Sequence, residues 1–344
     1  MKKPGLTPRG RLVIAAATFA LALLASCTAA PPARTAGPAA VPQVPVRPQA
    51  STSALAVVWK VRLGANADLG GRPLFPSDNP WNTAIDTAAV DPNSEALIAS
   101  IPGFLHADFG ANWNGGPFGI PYLVVKGTTK RVTVRFDDAD ESDRGTYPIP
   151  KTAPVEKGSD RHVLVLDRDH WRLYELFNAR RRSGSTSWRA GSGAVFDLRS
   201  DALRPAGWTS ADAAGLPILA GLVRYDEVRA GRITHALRFT VARTRRAYVA
   251  PARHYASDNT RADLPPMGMR VRLRSDFDLS GFPPQARVVL QAMKTYGMIV
   301  ADNGSNWYVS GAPDRRWHDD DLNTLKRVPG NAFEVVAMGE ITTG

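Results

Sequence analysis

Cysteine is almost absent from this sequence of 344 residues, which holds a single one, Cys27. One cysteine excludes an intramolecular disulfide, so the folded part must be stabilised by packing alone. It also leaves no spacing of Cys and His that is typical of a zinc site, and we predict neither a metal nor a cofactor. Acidic residues are missing from the first 54 positions, which carry six basic residues.

Familiar catalytic motifs are also missing from the chain. It has no phosphate-binding Walker loop, no dinucleotide-binding fingerprint, no G-x-S-x-G elbow and no H-E-x-x-H zinc motif. No internal repeat is visible, which argues against a propeller or a solenoid. A reaction therefore cannot be assigned from a motif, and individual residues must be weighed by their surroundings.

The charge is positive but weakly patterned. The net charge of +11 falls to +5 for residues 55–344 once the six basic residues of the first 54 positions are set aside. This remaining excess is mild and scattered rather than gathered into a patch. We therefore predict that nucleic acid is not a partner.

The first residues have the layout of an export signal, with basic residues before the apolar run Leu12–Leu24. The run ends in Leu24-Ala25-Ser26-Cys27, which resembles a bacterial lipoprotein lipobox. The resemblance implies removal of residues 1–26, lipidation of Cys27 and anchoring to a membrane through acyl chains. The residue after the cysteine, Thr28, is not an aspartate, and the resemblance therefore favours anchoring at the outer membrane or the cell surface. The alternative is an ordinary signal peptide with an incidental cysteine.

The remaining chain divides into a tether and a body. Residues 27–54 are rich in Pro and Ala without apolar periodicity, which is typical of an extended, solvated linker. Residues 55–344 are long enough for one large domain or two small ones, and we predict a single globular domain. Short apolar runs between Gly and Pro turns, with few helical patterns, predict a mainly-β fold. The expected form is a β-sandwich or jelly-roll-like domain with a few packed helices.

The clearest β-hairpin predicted lies at the centre of the chain, where strands His162–Leu166 and Trp171–Phe177 flank a polar turn. Side chains alternate along a strand, so Trp171, Leu173, Glu175 and Phe177 should share one face. Glu175 then lies in an apolar row. A carboxylate in that position is paired, exposed at a cleft, or held with a raised pKa, and a general acid needs one of the last two.

Two other strands carry a similar anomaly. In Ile233–Val241, alternation places His235 on an apolar face. In Met298–Asp302 it aligns Asp302 with Met298 and Val300. The following Asn303-Gly304 predicts a tight turn that returns the chain as a second strand. Glu175, Asp302 and His235 are therefore the candidate catalytic residues.

Several further elements are predicted from local pattern. Tyr122–Lys126 and Arg131–Phe136 form a hairpin, Gln285–Tyr296 forms the best helix, and a short helix over Arg224–Ala230 carries Asp226 and Glu227 on its surface. A brief helix is expected after Thr209 or Ser210. The acidic run Asp137–Arg144 resembles a calcium loop only loosely, and a solvated turn is favoured.

Aromatic and basic residues provide the candidate ligand-binding groups. Trp171, Trp307 and Tyr308 could stack on sugar rings, while Arg253 and His254 could line an anionic or sugar-binding groove. For the last two, a solvated strand edge is the favoured alternative. The glycine-rich segment 112–121 should be an irregular loop that carries Trp113 and Phe118, either as a stacking surface or as a core plug.

The body is similar to an uncharacterised family of secreted bacterial proteins through the motifs DNPWNT, LYELFNA, LPPMGMRVRL and MIVADNGSNWYVSG. The resemblance covers most of residues 75–340. It implies secretion and carries no information about chemistry.

Two functions follow as hypotheses. The favoured one is an envelope-anchored lipoprotein that binds polysaccharide or a cell-envelope partner without catalysis. The alternative is a glycan-cleaving enzyme, in which Glu175 and Asp302 supply acid and base and His235 is a supporting donor.

Overall fold

The computed structural model describes residues 59–181 and 187–344. Strands dominate this part of the chain, with nineteen short strands and four α-helices. The mainly-β prediction is confirmed, whereas the sandwich or jelly-roll arrangement stays a prediction. Within the described ranges, no helix has the length and apolar character needed to span a bilayer. The lipobox and the tether lie outside the described residues.

The first sheet contains the central hairpin. Its five strands are β1 Gly64–Ala65, β5 Tyr122–Val125, β8 Val163–Asp167, β9 Arg172–Leu176 and β12 Gly193–Asp197. They lie in the order β1-β5-β8-β9-β12. Strands β8 and β9 pair antiparallel with Leu164 opposite Glu175, which confirms the predicted hairpin.

This sheet separates two apolar cores. Leu164 and Leu173 pack into the larger core, whereas Val165 and Tyr174 pack into a smaller one on the other side. Both faces are therefore buried, and the strands are apolar almost throughout, as expected for a sheet covered on both sides. Trp171 and Leu173 belong to the larger core, so the predicted shared face is confirmed for these two residues, and it is the face from which Glu175 projects.

The second sheet carries the candidate site. Its six strands are β2 His106–Asp108, β13 Leu237–Val241, β15 Arg270–Leu273, β16 Met298–Asn303, β17 Tyr308–Ser310 and β18 Phe333–Val335. They lie in the order β18-β15-β16-β13-β17-β2. The predicted hairpin around Asn303-Gly304 is wrong, because β13 lies between β16 and β17. The Gly304 amide donates to Val241 O, so the connection crosses the end of β13.

A β-bulge interrupts the pairing of β13 with β16. Phe239 lies opposite Val300 and Thr240 lies opposite Asp302, which leaves Ala301 as an extra residue. Because paired residues share a face, Asp302 projects on the same side as Thr240. The prediction that Asp302 shares a face with Val300 is therefore wrong, and the bulge is the physical reason.

The remaining strands form one small sheet and two isolated pairs. The small sheet has the order β10-β11-β6-β7 and consists of β6 Val132–Phe136, β7 Thr146–Tyr147, β10 Arg180–Arg181 and β11 Trp188–Ala190. The pairs are β3 Gly110–Trp113 with β4 Gly116–Phe118, and β14 Ala247–Val249 with β19 Ile341–Thr343. The predicted hairpin of β5 with β6 is wrong, because the chain passes between two sheets there.

The four helices are α1 Ser94–Ala99, α2 Tyr225–Arg229, α3 Pro284–Thr295 and α4 Asp319–Asn323. Helix α3 confirms the best predicted helix and buries Val289 and Met293 against the larger core. Gly297 follows it with φ of +69°, a conformation that glycine adopts readily. Helix α2 confirms the short helix before Gly231, whereas the helix expected after Ser210 is wrong and that segment is a series of turns.

Candidate functional site

One face of the six-stranded sheet is polar where β2, β17 and β13 lie side by side. The register pairs Tyr308 with His106 and with Thr240, and the bulge adds Asp302 beside Thr240. Residues two apart on a strand share a face. The resulting polar face consists of His106, Asp108, Arg238, Thr240, Asp302, Tyr308 and Ser310.

Arg238 is the buried centre of this face. Its Nε and Nη2 donate to the two carboxylate oxygens of Asp212 at 3.2 and 2.9 Å, and its Nη1 donates to Ser310 Oγ at 2.5 Å. Burial disfavours the charged guanidinium, but the Asp212 carboxylate more than offsets this and raises the pKa of Arg238. The bidentate geometry fixes both side chains in a single arrangement.

Asp302 lies next to this ion pair and keeps access to solvent. Its side chain is 27% exposed, and its Oδ2 lies 4.0 Å from Arg238 Nη2. Its Oδ1 accepts a hydrogen bond from the Asn303 amide at 2.7 Å. Burial and the Asp212 charge raise the pKa of Asp302 to about 7, although Arg238 opposes the shift. Asp302 can therefore hold or release a proton near neutral pH.

Asp302 opens into a cleft of about 560 Å³, which we call the acidic cleft. This volume lies in the range of small-molecule sites, roughly 300 to 1,000 Å³. Apart from Asp302, its polar and aromatic lining includes Phe177, Ser192, Thr209, Ser210, His254 and Asn303. Its carboxylate residues are Asp138, Asp140, Glu141, Asp160, Asp212 and Asp302.

Three of those carboxylates come from the acidic run 137–144. The prediction of a solvated turn is confirmed, because the run consists of turns and bends in which Asp138 and Asp140 are exposed. These two residues and Glu141 also line the acidic cleft. Asp143 anchors the run by binding Arg204 and by accepting from the Val195 amide at 2.9 Å. Burial and the neighbouring carboxylates raise the pKa of Asp138. The anchored backbone thus holds like charges close together at the cleft wall.

A buried histidine lies beside the acidic cleft. His162 Nδ1 lies 2.6 Å from Glu156 Oε2, and its Nε2 lies 3.1 Å from Ala211 O. Both ring nitrogens therefore face acceptors, which favours the imidazolium form. Burial opposes this charge, but Glu156 raises the pKa of His162 overall. Through its contact with Ala211 O, His162 supports the segment 209–213, which carries Asp212, from behind.

Glu175 is fully buried and separate from the cleft lining. Its Oε2 accepts from the Ile218 amide and its Oε1 from the Leu219 amide, both at 2.9 Å. Burial raises the pKa of Glu175 to about 7, although the two amides oppose the shift. Both oxygens are thus occupied by backbone, and no ligand reaches the carboxyl group in this structure.

His235 lies away from the acidic cleft. It precedes β13 at the end opposite Thr240, with its Nε2 3.0 Å from Glu227 Oε2. Glu227 also accepts from Arg224 Nη2 at 2.6 Å. The prediction that Asp226 and Glu227 lie on a helix surface is wrong, since their side chains are largely buried and Glu227 joins an ion-pair network. The structure does not bring His235 to Asp302.

The predicted aromatic residues divide between core and surface. Trp307 is fully buried between Phe239 and Phe333, at ring distances of 5.4 and 4.9 Å, so both its faces are covered. Trp171 is also buried, and its indole donates to Leu74 O at 2.9 Å. Tyr308 is half-buried and stacks on His106 at 4.7 Å. Of the three, Tyr308 is the residue on the polar face.

The two basic candidates also differ in position. His254 lines the acidic cleft, with its Nδ1 2.8 Å from Ala213 O and its ring stacked on Tyr255. Arg253 lies outside the cleft lining, and its Nε donates to Arg204 O at 2.9 Å. Of the predicted site residues, Asp302 and His254 therefore line the acidic cleft, and Tyr308 lies on the adjoining polar face.

Sequence reasoning missed Arg238, Asp212 and His162. Arg238 alternates with Leu237 and Phe239 in an apolar strand, and a lone arginine of that kind was the available signal. Asp212 was hidden in a segment that resembled a capped helix. Among the described residues, no group of three or more His, Cys, Asp or Glu side chains is arranged to hold a metal ion.

Comparison of the chain with family models, with curated proteins and with solved structures finds no match. Function is therefore inferred from the acidic cleft, its perturbed carboxyl group and the polar face beside it.

Proposed function

We propose that the acidic cleft binds a polysaccharide or another glycan of the cell envelope. The observation that carries this proposal is the combination of five carboxylate residues in one cleft, besides the Arg238-bound Asp212, with a half-exposed Tyr308 on the adjoining polar face. Carboxylates accept hydrogen bonds from sugar hydroxyls, and an aromatic ring packs on the apolar face of a sugar. The cleft volume suits a short stretch of such a chain.

The charge of the cleft restricts the class of glycan. A polymer rich in uronate, sulfate or phosphate groups would meet like charges along the cleft wall, since Asp138, Asp140 and Glu141 lie there. Neutral glycans and glycans with free amino groups avoid this repulsion. We expect binding of these two classes and weak or no binding of anionic polysaccharides.

Hydrolysis of the bound glycan is the second candidate function. It is favoured by Asp302, because a carboxyl group with a pKa of about 7 that opens into a cleft suits a general acid. Glu175 is sealed from the cleft, so the second carboxylate would come from the lining, with Asp160 as one candidate. Glu175 therefore does not serve as the catalytic partner of Asp302 that was predicted from the sequence.

The test is binding and product release with the complete chain in detergent, using soluble glucan, xylan, chitosan and alginate. We expect binding of a neutral or amine-bearing glycan and little binding of anionic alginate. Asp302→Asn should weaken binding several-fold, and it should abolish product release if the protein is an enzyme. Preferential binding of alginate, or no binding to any of the four, would contradict the proposal.

Envelope anchoring through Cys27 is the remaining part of the proposed function. It is supported by the run Leu24-Ala25-Ser26-Cys27 after a short apolar segment. Expression in a bacterial host should direct the wild-type chain to the membrane fraction, and mass spectrometry should detect acyl groups on the peptide that begins at Cys27. Cys27→Ser should lose both properties. Wild-type protein that carries no acyl group would contradict the anchoring.

A further inference from the structure

An exposed tryptophan lies on a hairpin that follows the polar face. Trp113 is 64% exposed, the highest value among the large hydrophobic residues of the described chain. It ends β3, which pairs with β4, and its ring lies 6.0 Å from that of Phe118. Exposure of a large apolar ring to water is unfavourable, and a ligand that covers the ring face recovers this free energy.

The hairpin has regular backbone geometry. Asn114 and Gly115 have φ of +47° and +81° between the paired residues Trp113 and Gly116, which is the pattern of a tight type I′ turn. The prediction of an irregular loop here is therefore wrong. Trp113 is presented by regular structure rather than by a loop that would have to order itself on binding.

A carboxylate of α4 holds the first strand of this hairpin. Asp319 Oδ1 accepts from the Ala111 amide at 2.8 Å, and Asp319 Oδ2 accepts from the Asn112 amide at 3.1 Å. Gly110 permits this close approach, since a Cβ there would lie 2.6 Å from Asp319 Oδ1. Such preorganisation lowers the entropic cost of binding a ligand to Trp113.

The hairpin follows the polar face along the chain, and its second strand approaches a segment that leads to the acidic cleft. Strand β2 ends at Asp108, which pairs with Ser310 on the polar face, and β3 begins at Gly110. On the other strand, a Cβ at Gly116 would lie 3.3 Å from Lys157 Nζ. Three residues after Lys157, Asp160 lines the acidic cleft. The five residue-to-residue steps from Asp108 to Trp113 span at most roughly 18 Å.

We propose that Trp113 forms a second sugar-binding subsite, which stacks on a glycan whose other part occupies the acidic cleft; this rests on the proposed function. The ring supplies an apolar face for one sugar unit, and the neighbouring Asn112 and Asn114 are exposed polar residues that suit hydroxyl groups. A single tryptophan among Asn and Gly is too small an apolar patch for a stable protein interface, which favours a narrow chain as the ligand.

The experiment is isothermal titration calorimetry of the complete chain with neutral and amine-bearing oligosaccharides. The probes are two-unit and six-unit oligosaccharides of the cellulose, xylan and chitosan series. Wild-type protein should bind a six-unit chain more tightly than the two-unit chain of the same series. Trp113→Ala should weaken the six-unit affinity by roughly tenfold and leave the two-unit affinity unchanged.

Trp59→Ala is the matched control, because Trp59 is also exposed, at 41%, and lies outside the lining of the acidic cleft. It should leave both affinities unchanged. If wild type binds the six-unit chain but Trp113→Ala binds it equally well, the second subsite is overturned while the proposed function stands. Equal affinity of wild type for both lengths also overturns it. Failure of wild type to bind any probe overturns the proposed function and the subsite together.

Discussion

Two carboxyl groups of this protein have the same raised pKa and very different surroundings. Burial raises the pKa of both Glu175 and Asp302 to about 7, and the charge of Asp212 adds to the shift at each. Glu175 is sealed in the core with both oxygens bound to backbone amides. Asp302 has one oxygen bound to an amide, keeps 27% of its side chain exposed and opens into the acidic cleft.

The difference shows that a raised pKa reports burial of a carboxyl group and is not by itself evidence of function. Glu175 is well explained as a structural acceptor that fixes the turn at Ile218 and Leu219 to the first sheet. Asp302 has a similar shift but retains access to a ligand, which is the additional property that a functional group needs. Variants that separate stability from binding therefore test the assignment of the two roles.

The largest effect is expected from removal of Arg238, which partners the Asp212 carboxylate that both groups sense. Arg238→Met would leave Asp212 buried without its counter-charge. Breaking a buried pair on one side costs about 3 to 5 kcal/mol of unfolding free energy. Urea denaturation monitored by tryptophan fluorescence should show a midpoint far below that of wild type.

A matched control is available on the surface. Arg199 pairs with Asp197 while both side chains remain well exposed, so Arg199→Met should leave the midpoint essentially unchanged. A similar loss of stability in both variants would contradict the special position of Arg238. A stable Arg238→Met protein would show that Asp212 is easily neutralised or hydrated.

The second prediction concerns pH. A carboxyl group whose folded-state pKa lies above its unfolded value binds more protons in the folded state. The stability that it contributes is then fully present below the unfolded pKa and is lost as the pH rises through the folded pKa. For Glu175 this window extends from the ordinary value of 4.5 to about 7. The change is about 3 kcal/mol for this group alone.

Other groups reinforce the sign in this window. The pKa of Asp302 is also raised, and so is the pKa of His162. Both groups therefore contribute less stability as the pH increases. The unfolding free energy in urea, measured at steps between about pH 5 and 8, should therefore fall with pH. A stability that rises across this interval would contradict the raised pKa values of both carboxyl groups.

The third prediction isolates Glu175. In Glu175→Gln, an amide NH₂ would face the Ile218 or Leu219 amide, so this backbone donor would lose its acceptor and a second donor group would be buried against it. The expected loss at pH 5 is about 2 to 3 kcal/mol. The loss of unfolding free energy should be smaller at pH 8, because wild type then carries an ionised Glu175 in its core, whereas the glutamine of the variant stays neutral. Urea titrations at the two pH values test this, and an equal loss at both would contradict a Glu175 pKa near 7.

The position of Glu175 could be predicted from sequence, because alternation in an uninterrupted hairpin fixes which side chains share a face. The strands that flank it pair in the expected register, with Leu164 opposite Glu175. Its two amide partners could not be predicted, since Ile218 and Leu219 are more than forty residues further along the chain. Local pattern therefore located the charge but not the contacts that satisfy it.

The position of Asp302 could not be predicted, because it depends on a bulge that only the pairing with β13 reveals. The two Asn-Gly pairs show the same limit of local signals. Asn303-Gly304 has the stronger strand pattern around it but connects strands that are separated by β13. Asn114-Gly115 lies among glycines and forms the tight hairpin that carries Trp113. Turn chemistry favours a turn without deciding which strands pair.

The smallest effect on stability is expected for Asp302→Asn. An amide oxygen can still accept from the Asn303 amide, and the side chain already reaches solvent, so the unfolding free energy at pH 5 should change by less than about 1 kcal/mol. The same variant should weaken glycan binding several-fold, because Asp302 lies in the cleft lining. Urea titration and calorimetry on one preparation provide both values. Stability loss as large as that of Glu175→Gln, with glycan affinity unchanged, would reverse the roles assigned to the two carboxyl groups.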